Sequence, residues 1–310
     1  MSQLQICLFS RFEITCGQDR LHPELSTKAQ ELCSYLVLNR NRSHSREKLA
    51  TLLWPENYPA SNTKAYLRKA LWQLQQGLDM KEDVEPESFL HVTPEWIQFS
   101  GGDNFLIDIE VFESAYECTR GCQGRSLSPQ QADCIKNAVD LYQGDLLENW
   151  YLEWCEFERD RLQNVYLIML DKLLAHCITM KDVEAGLEYG TRSLKIDRAR
   201  ESTYRQLMEL YYLAGNRTRG LRMYEQCEGV LRDELDIEPS PETRELYNQI
   251  RMGKMIRPVQ SVSSVTSGED LSLRERLERI RRLQEIHADI QSQIKQNITA
   301  VEKALKHSND

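Results

Sequence analysis

Apolar and polar residues alternate in short bursts at the start of the chain: Leu4, Ile6 and Leu8, then Phe12, Ile14 and Cys16. A period of two places every second side chain on one face, so this stretch predicts a small antiparallel sheet. Gly17 to Asp19 makes a turn, and Leu21 begins another extended piece before Pro23. The period then lengthens. Ser26 or Thr27 caps a helix whose inward stripe is Leu32, Tyr35 and Leu36, joined by Ala29. Ser43 or Ser45 caps a second, with Glu47 near its third position and Leu49, Leu52, Leu53 and Trp54 inward. Trp54-Pro55 ends it, because the residue before proline is pushed out of helical geometry.

A third helix runs roughly from Ala60 to Leu78. Leu67, Leu71, Leu74 and Leu78 fall within about 60° of one another at ~100° per residue, which is a buried stripe. An acidic, turn-prone segment follows from Asp79 to Ser88. Phe89 to Val92, the turn Thr93-Pro94-Glu95, and Trp96 to Phe99 then read as a hairpin. Strands, three helices and a hairpin, in that order, give a winged helix-turn-helix with an added N-terminal sheet.

From Asp108 to Arg251 the pattern is helical throughout. Breaks fall near Gly121–Ser128, Gly144, Met180–Asp182, Lys195–Ala199, Gly215-Asn216 and Ile237–Pro241. Val183–Leu194, Ser202–Leu213 and Arg219–Leu231 have the paired-helix rhythm of tetratricopeptide-type (TPR-like) repeats. Ala185, Gly186, Tyr189, Ala214, Gly215, Gly220 and Tyr224 supply the small and aromatic residues that such stacking needs. Residues 252–270, rich in Ser, Val and Thr without a period, read as a flexible linker. Residues 271–306 read as one amphipathic helix, with Leu273, Leu277, Ile280, Ile290, Ile294, Ile298, Val301 and Leu305 on its apolar face. Such a helix needs an apolar partner surface: a copy of itself, another protein, or the body of the chain. The long, isoleucine-rich stripe favours a homo-oligomer, although Gln284, His287 and Gln291 interrupt a strict coiled-coil register. The fold class is therefore mainly α with a small β component. A winged helix spans residues 1–100 and an all-helical domain 105–251, followed by the linker and the terminal helix.

Composition narrows the setting. The chain has 310 residues, enough for two ordinary domains. No apolar run approaches the ~18 residues of a membrane span, and the opening MSQLQICLF lacks the pattern of a signal peptide. The nine cysteines are odd in number and irregularly spaced. Cys118, Cys122 and Cys134 lack the spacing of a zinc site, so the thiols read as structural ones in a reducing cytoplasm. Neither membrane contact nor a cofactor is expected. Net charge is −9, which at first argues against nucleic acid. Yet residues 26–78 hold eight basic side chains against three acidic, while residues 101–252 hold 18 basic against 28 acidic. Phosphate contact needs a local basic surface, whatever the sign of the whole.

Two stretches carry a family resemblance. Residues 105–251 resemble the bacterial transcriptional activator domain of the SARP/AfsR-like regulators. The carriers are LYQGDLLE at 141–148, WCEFERDRL at 154–162, RESTYRQLM at 200–208, AGNR at 214–217 and ELDIEPSPETRELY at 234–247. The N-terminal part is similar to the OmpR-like winged helix of the same family through SREKLATLLWP at 45–55 and the leucine spacing at 67–74. The resemblance implies an activator that binds double-stranded DNA and contacts RNA polymerase. One departure stands out. Where the family carries an arginine-rich end to the third helix, this chain has Trp72-Gln73 and then Gln75-Gln76. Fewer cations there predict weaker nonspecific affinity with a flatter salt dependence, a different operator, or a DNA-binding function that has decayed.

A recognition helix sets polar side chains opposite its buried stripe. Asn62, Ala65, Tyr66, Lys69, Gln73 and Gln76 are the base-reading candidates, because amides pair with adenine and cations with guanine. Lys28, Arg42, Arg46, Lys48, Lys64 and Arg68 are the phosphate candidates, holding register without reading sequence. Trp72 has two readings: contact with a thymine methyl, or cover for the body or another subunit. The cluster Arg274–Arg282, interleaved with Glu275 and Glu278, has two readings: a solvated helix face with internal ion pairs, which is favoured, or a second DNA or RNA contact. The six histidines sit in unrelated contexts, and no metalloprotease, nucleophile-elbow or phosphate-loop motif occurs, so no enzyme is expected. The main expectation is a sequence-specific DNA-binding transcription regulator. The alternative is an interaction scaffold whose winged helix no longer binds DNA.

Overall fold

The computed structural model describes residues 4–16, 19–20, 25–54, 60–78, 90–100 and 105–253. Alternation dictates the first sheet. In β1 (Leu4–Cys7) the side chains of Leu4 and Ile6 point inward, and β2 (Glu13–Cys16) pairs with it antiparallel, Ile6 opposite Ile14. The two-residue β3 (Asp19–Arg20) adds to β2. The sheet is mixed and not purely antiparallel. A strand from about 100 residues away, β7 (Phe105–Ile107), lies parallel to β1 with Leu4 opposite Phe105, giving the order β3-β2-β1-β7. Three residues running straight into a helix are too few to display a period of two, which hid β7 from the sequence.

Ser26 caps α1 (Thr27–Leu38) as expected, accepting the amide of Ala29. Ser45 occupies the cap position of α2 (Arg46–Leu53), but its side chain makes no cap hydrogen bond. Its backbone is used differently. Ser43–Ser45 is a short strand, β4, paired with β6 (Trp96–Phe99), which pairs in turn with β5 (Leu90–Val92). The second sheet, β4-β6-β5, carries the expected hairpin. α3 (Ala60–Leu78) buries Leu67, Ala70, Leu71 and Leu74, and packs on α1 and α2.

The helical half begins with α4 (Asp108–Cys118) and a 3-10 turn at Gly124–Ser126. α5 (Pro129–Leu141) opens on a capping box between Ser128 and Gln131. Next come α6 (Glu153–Met180), α7 (Val183–Ile196), α8 (Glu201–Leu213), α9 (Arg217–Leu235) and α10 (Pro241–Met252). Successive helices pack as neighbours, in the TPR-like manner expected. Close approach needs glycine: a Cβ on Gly190 of α7 would sit 2.5 Å from a methyl of Leu207 on α8. Met252 closes α10, so helix continues into the first residue of the expected linker. The remainder of that linker beyond Gly253, and the whole 271–306 segment with Leu273, Leu277, Ile280, Ile290, Ile294, Ile298, Val301 and Leu305, lie outside the described residues.

The described residues all fall in one compact unit, and a buried carboxylate is among the groups that tie the N-terminal sheet to the helices. Asp108 opens α4, and its Oδ2 accepts the amides of Leu8 (2.7 Å) and Phe9 (2.9 Å), while Oδ1 accepts that of Ile109 (2.7 Å). Residues 8–10 then exchange backbone bonds with the 145–148 loop: Ser10 N to Asp145 O, Leu147 N to Leu8 O, Glu148 N to Ser10 O. Arg159 of α6 holds that loop by donating to the carbonyls of Leu146, Leu147 and Trp150. Phe9 packs edge-on against Phe112 at 5.0 Å and beside Tyr142 at 4.8 Å. A second clasp is ionic. Arg40, at the end of α1, pairs with Glu113 of α4 (2.6 Å), which also binds Arg161 of α6 (2.5 Å).

Burial pushes the Asp108 carboxyl above its ordinary value, against the opposing pull of its backbone amides. A raised folded-state value means that Asp108 favours folding most below the ordinary carboxyl range. That contribution is lost as pH rises through the raised value. Replacing the carboxylate strands two buried N–H groups at about 1–3 kcal/mol each. Asp108→Ala is therefore expected to lower unfolding free energy by about 2–5 kcal/mol in urea titrations. Asp108→Asn should flatten the decline of stability with rising pH in the same assay.

Candidate nucleic-acid interface

α3 is built as a two-faced rod of about 28 Å, its inner face fixed by Leu67, Leu71 and Leu74. Opposite that stripe stand Asn62, Ala65, Lys69, Trp72 and Gln76, all exposed, within a sector of about 80°. Arg68 and Lys64 flank them on one side, both exposed. Between α3, the start of α2 and the β5–β6 turn lies a cleft of about 660 Å³. Arg46, Lys64 and Arg68 supply its cations, Glu47 and Glu95 its carboxylates, and Leu67, Pro94 and Trp96 its apolar wall.

The β5–β6 turn is a fixed element. Thr93 N donates to Trp96 O (2.9 Å), and Trp96 N donates to the Thr93 hydroxyl (3.0 Å). Arg46 fastens the turn to α2: its guanidinium donates to Thr93 O at 3.1 Å, and its own amide donates to Glu95 O at 2.9 Å. Trp96 leaves 47% of its surface open at the base of this turn. The hairpin was legible in the sequence, but Pro94, Glu95 and Trp96 were not read as part of a site. An exposed aromatic next to a turn was the available signal.

The candidate residues divide by what already holds them. Arg42, Lys48, Arg68 and Lys69 make no ion pair or hydrogen bond among the described residues. Lys64 pairs with Glu47 at 2.9 Å, and that hydrogen bond holds the Glu47 carboxyl below its ordinary value. Both side chains are largely exposed, so solvent screens the pair and it can be exchanged for a phosphate at little cost. Lys28 is bound to Glu31 at 2.6 Å on α1. Gln73 is half-buried and accepts the Ser26 hydroxyl at 2.5 Å, so it joins α3 to the cap of α1. Tyr66 sits on the flank, its ring 6.0 Å from that of Trp54. The structure thus brings Asn62, Ala65, Lys69 and Gln76 onto one outward face, with Lys64 and Arg68 beside them. It sets Lys28, Gln73 and Tyr66 apart in supporting contacts.

Residues 107–251 match the bacterial transcriptional activator domain family. The transcriptional regulatory protein EmbR of Mycobacterium tuberculosis is 26% identical over 257 residues, which cover 79% of this chain and 63% of EmbR. The chain thus spans under two thirds of that relative's length. The transcriptional regulatory protein MoaR1 of the same organism is 22% identical over 225 residues, covering 72% of this chain and 71% of MoaR1. Among solved structures, M. tuberculosis EmbR in complex with a low affinity phosphopeptide superposes with a TM-score of 0.72 at 21% identity, over 83% of this chain and 67% of that one. The fold is shared, and the resemblance to SARP-like regulators is borne out. No helix among the described residues is long and apolar enough to cross a membrane, and no group of His, Cys, Asp and Glu there could hold a metal.

Each phosphate contact contributes nearly one unit to the slope of log affinity against log salt. Lys64→Ala with Arg68→Ala is expected to lower that slope by about two on random duplex, measured by fluorescence anisotropy. Lys136→Ala with Lys195→Ala, in the helical half, should leave it unchanged.

Proposed function

We propose that this chain, whose residues 107–251 match the bacterial transcriptional activator domain, is a DNA-binding transcription regulator. The observation that carries the reading is the outward face of α3. It is exposed and polar, includes cations that pair with nothing else among the described residues, and lies beside a hairpin pinned to α2. α3 enters the major groove with Lys69, Asn62 and Gln76 toward base edges. The duplex backbone passes over the cleft, where Arg46, Lys64 and Arg68 meet phosphates from two sides.

The acidic helical half takes the other role, contact with protein. Glu153, Glu156, Phe157 and Asp160 recur at three- and four-residue steps along the outer side of α6, and all are exposed. Tyr151, just before the helix, leaves 83% of its surface open and Phe157 leaves 73%. Aromatic side chains set among carboxylates suit a cationic protein surface with apolar pockets. RNA polymerase, the partner that the family resemblance implies, is the first to test.

The test uses a duplex selected from a random library by the wild-type protein. Wild type should hold purified polymerase on that duplex. Phe157→Ala with Tyr151→Ala should weaken that ternary complex about tenfold, the loss typical of truncated interface aromatics, with duplex affinity unchanged. Failure to select any duplex would turn the reading toward a protein scaffold, and an unchanged ternary complex would remove the α6 surface from it.

A further inference from the structure

Trp72 sits on the outward face of α3, four residues after Arg68 and four before Gln76. It leaves 60% of its surface in solvent. Among the described residues its ring stacks on nothing and its indole N–H has no acceptor. Three tryptophans show the contrast: Trp54 is buried beside Tyr66, and Trp150 and Trp154 pack against each other and against Phe12 and Tyr35, while Trp96 shares the exposure of Trp72 at the base of the β5–β6 turn. Trp72 is therefore not a core residue placed outward by chance of register. Both its flat apolar surface and its single donor are open to a ligand.

We infer that Trp72 reads a thymine in the major groove, which rests on the duplex-binding reading above. The indole has one donor and no acceptor. Thymine alone among the four bases presents a methyl group beside an acceptor, its O4. The ring edge covers the methyl and the N–H meets the oxygen. Cytosine offers a donor at the same place, which opposes the indole donor. Guanine offers acceptors without a methyl, and adenine offers an acceptor with a donor beside it. Trp72 thus specifies a T·A pair near the centre of the contacted sequence. Lys69 and Gln76 lie one helical turn to either side, over the neighbouring pairs.

Deoxyuridine lacks the thymine methyl and leaves O4 in place, so it isolates the contact. Each thymine of the library-selected duplex is replaced singly by deoxyuridine, and affinity is measured for wild type, Trp72→Ala and Trp72→Phe. Wild type should lose about four- to tenfold at one thymine per bound subunit. Trp72→Ala should bind the thymine and deoxyuridine duplexes equally and select sequences without that fixed thymine. Trp72→Phe keeps an apolar ring and should retain most of the methyl sensitivity. Circular dichroism and melting temperature are expected to be unchanged in both, since the side chain is exposed. Wild-type affinity that stays within twofold for every replacement overturns the assignment while leaving duplex binding intact. So does Trp72→Ala with wild-type methyl sensitivity, or an altered subunit association as its only effect. Absence of any selectable duplex overturns both this inference and the reading beneath it.

Discussion

A single carboxylate, buried at the first turn of α4, decides how the two halves of this protein meet. Asp108 receives the amides of Leu8 and Phe9, groups that would otherwise be stranded where the first strand leaves its sheet. The parallel pairing of β1 with β7 delivers that strand end to the carboxylate, since β7 runs directly into α4. Burial disfavours the charge, and the surrounding amides offset part of that cost. The consequence is mechanical. The winged helix is not a bead on a string; its sheet, the 145–148 loop and α6 share one core. α3 is held through α1 and α2 to this frame, so its outward face has a fixed direction relative to the helical array.

Charge follows the same division. Whole-chain net charge is −9, yet the α1–α3 region is basic and the array acidic. Under the proposed function, a duplex approaching the array would meet repulsion and one approaching α3 attraction, so the field would orient the encounter before contact. The ion pairs inside the junction are of another kind. Arg40–Glu113–Arg161 is partly buried and joins three helices, while Lys64–Glu47 is exposed and can be exchanged for phosphate. Geometry separates a clasp from a contact where composition counts them alike.

Much of this is legible in the sequence. The leucine stripe of α3, the cap at Ser26, the hairpin around Thr93–Glu95 and the paired helices after Val183 all follow from periodicity and turn chemistry, which act over neighbouring residues. What escaped was non-local. β4 and β7 have three residues each and exist because distant strands accept them. Ser45 looked like a cap, but its backbone is committed to β6. In the site, the outward positions of Asn62, Ala65, Lys69 and Gln76 could be read from helical phase alone. That Gln73 would be held by Ser26 depends on how α1 lies against α3, which no local pattern encodes, whereas the hold of Glu31 on Lys28 is an i,i+3 pair that helical spacing does encode.

Under the proposed function a duplex meets the outward face of α3 and nothing on the helical array. Lysine acylation footprinting of the full chain, with and without the selected duplex, reads this directly. Protection should fall on Lys64 and Lys69 and spare Lys136, Lys181 and Lys195. Protection of the array lysines with Lys64 and Lys69 still reactive would contradict the account.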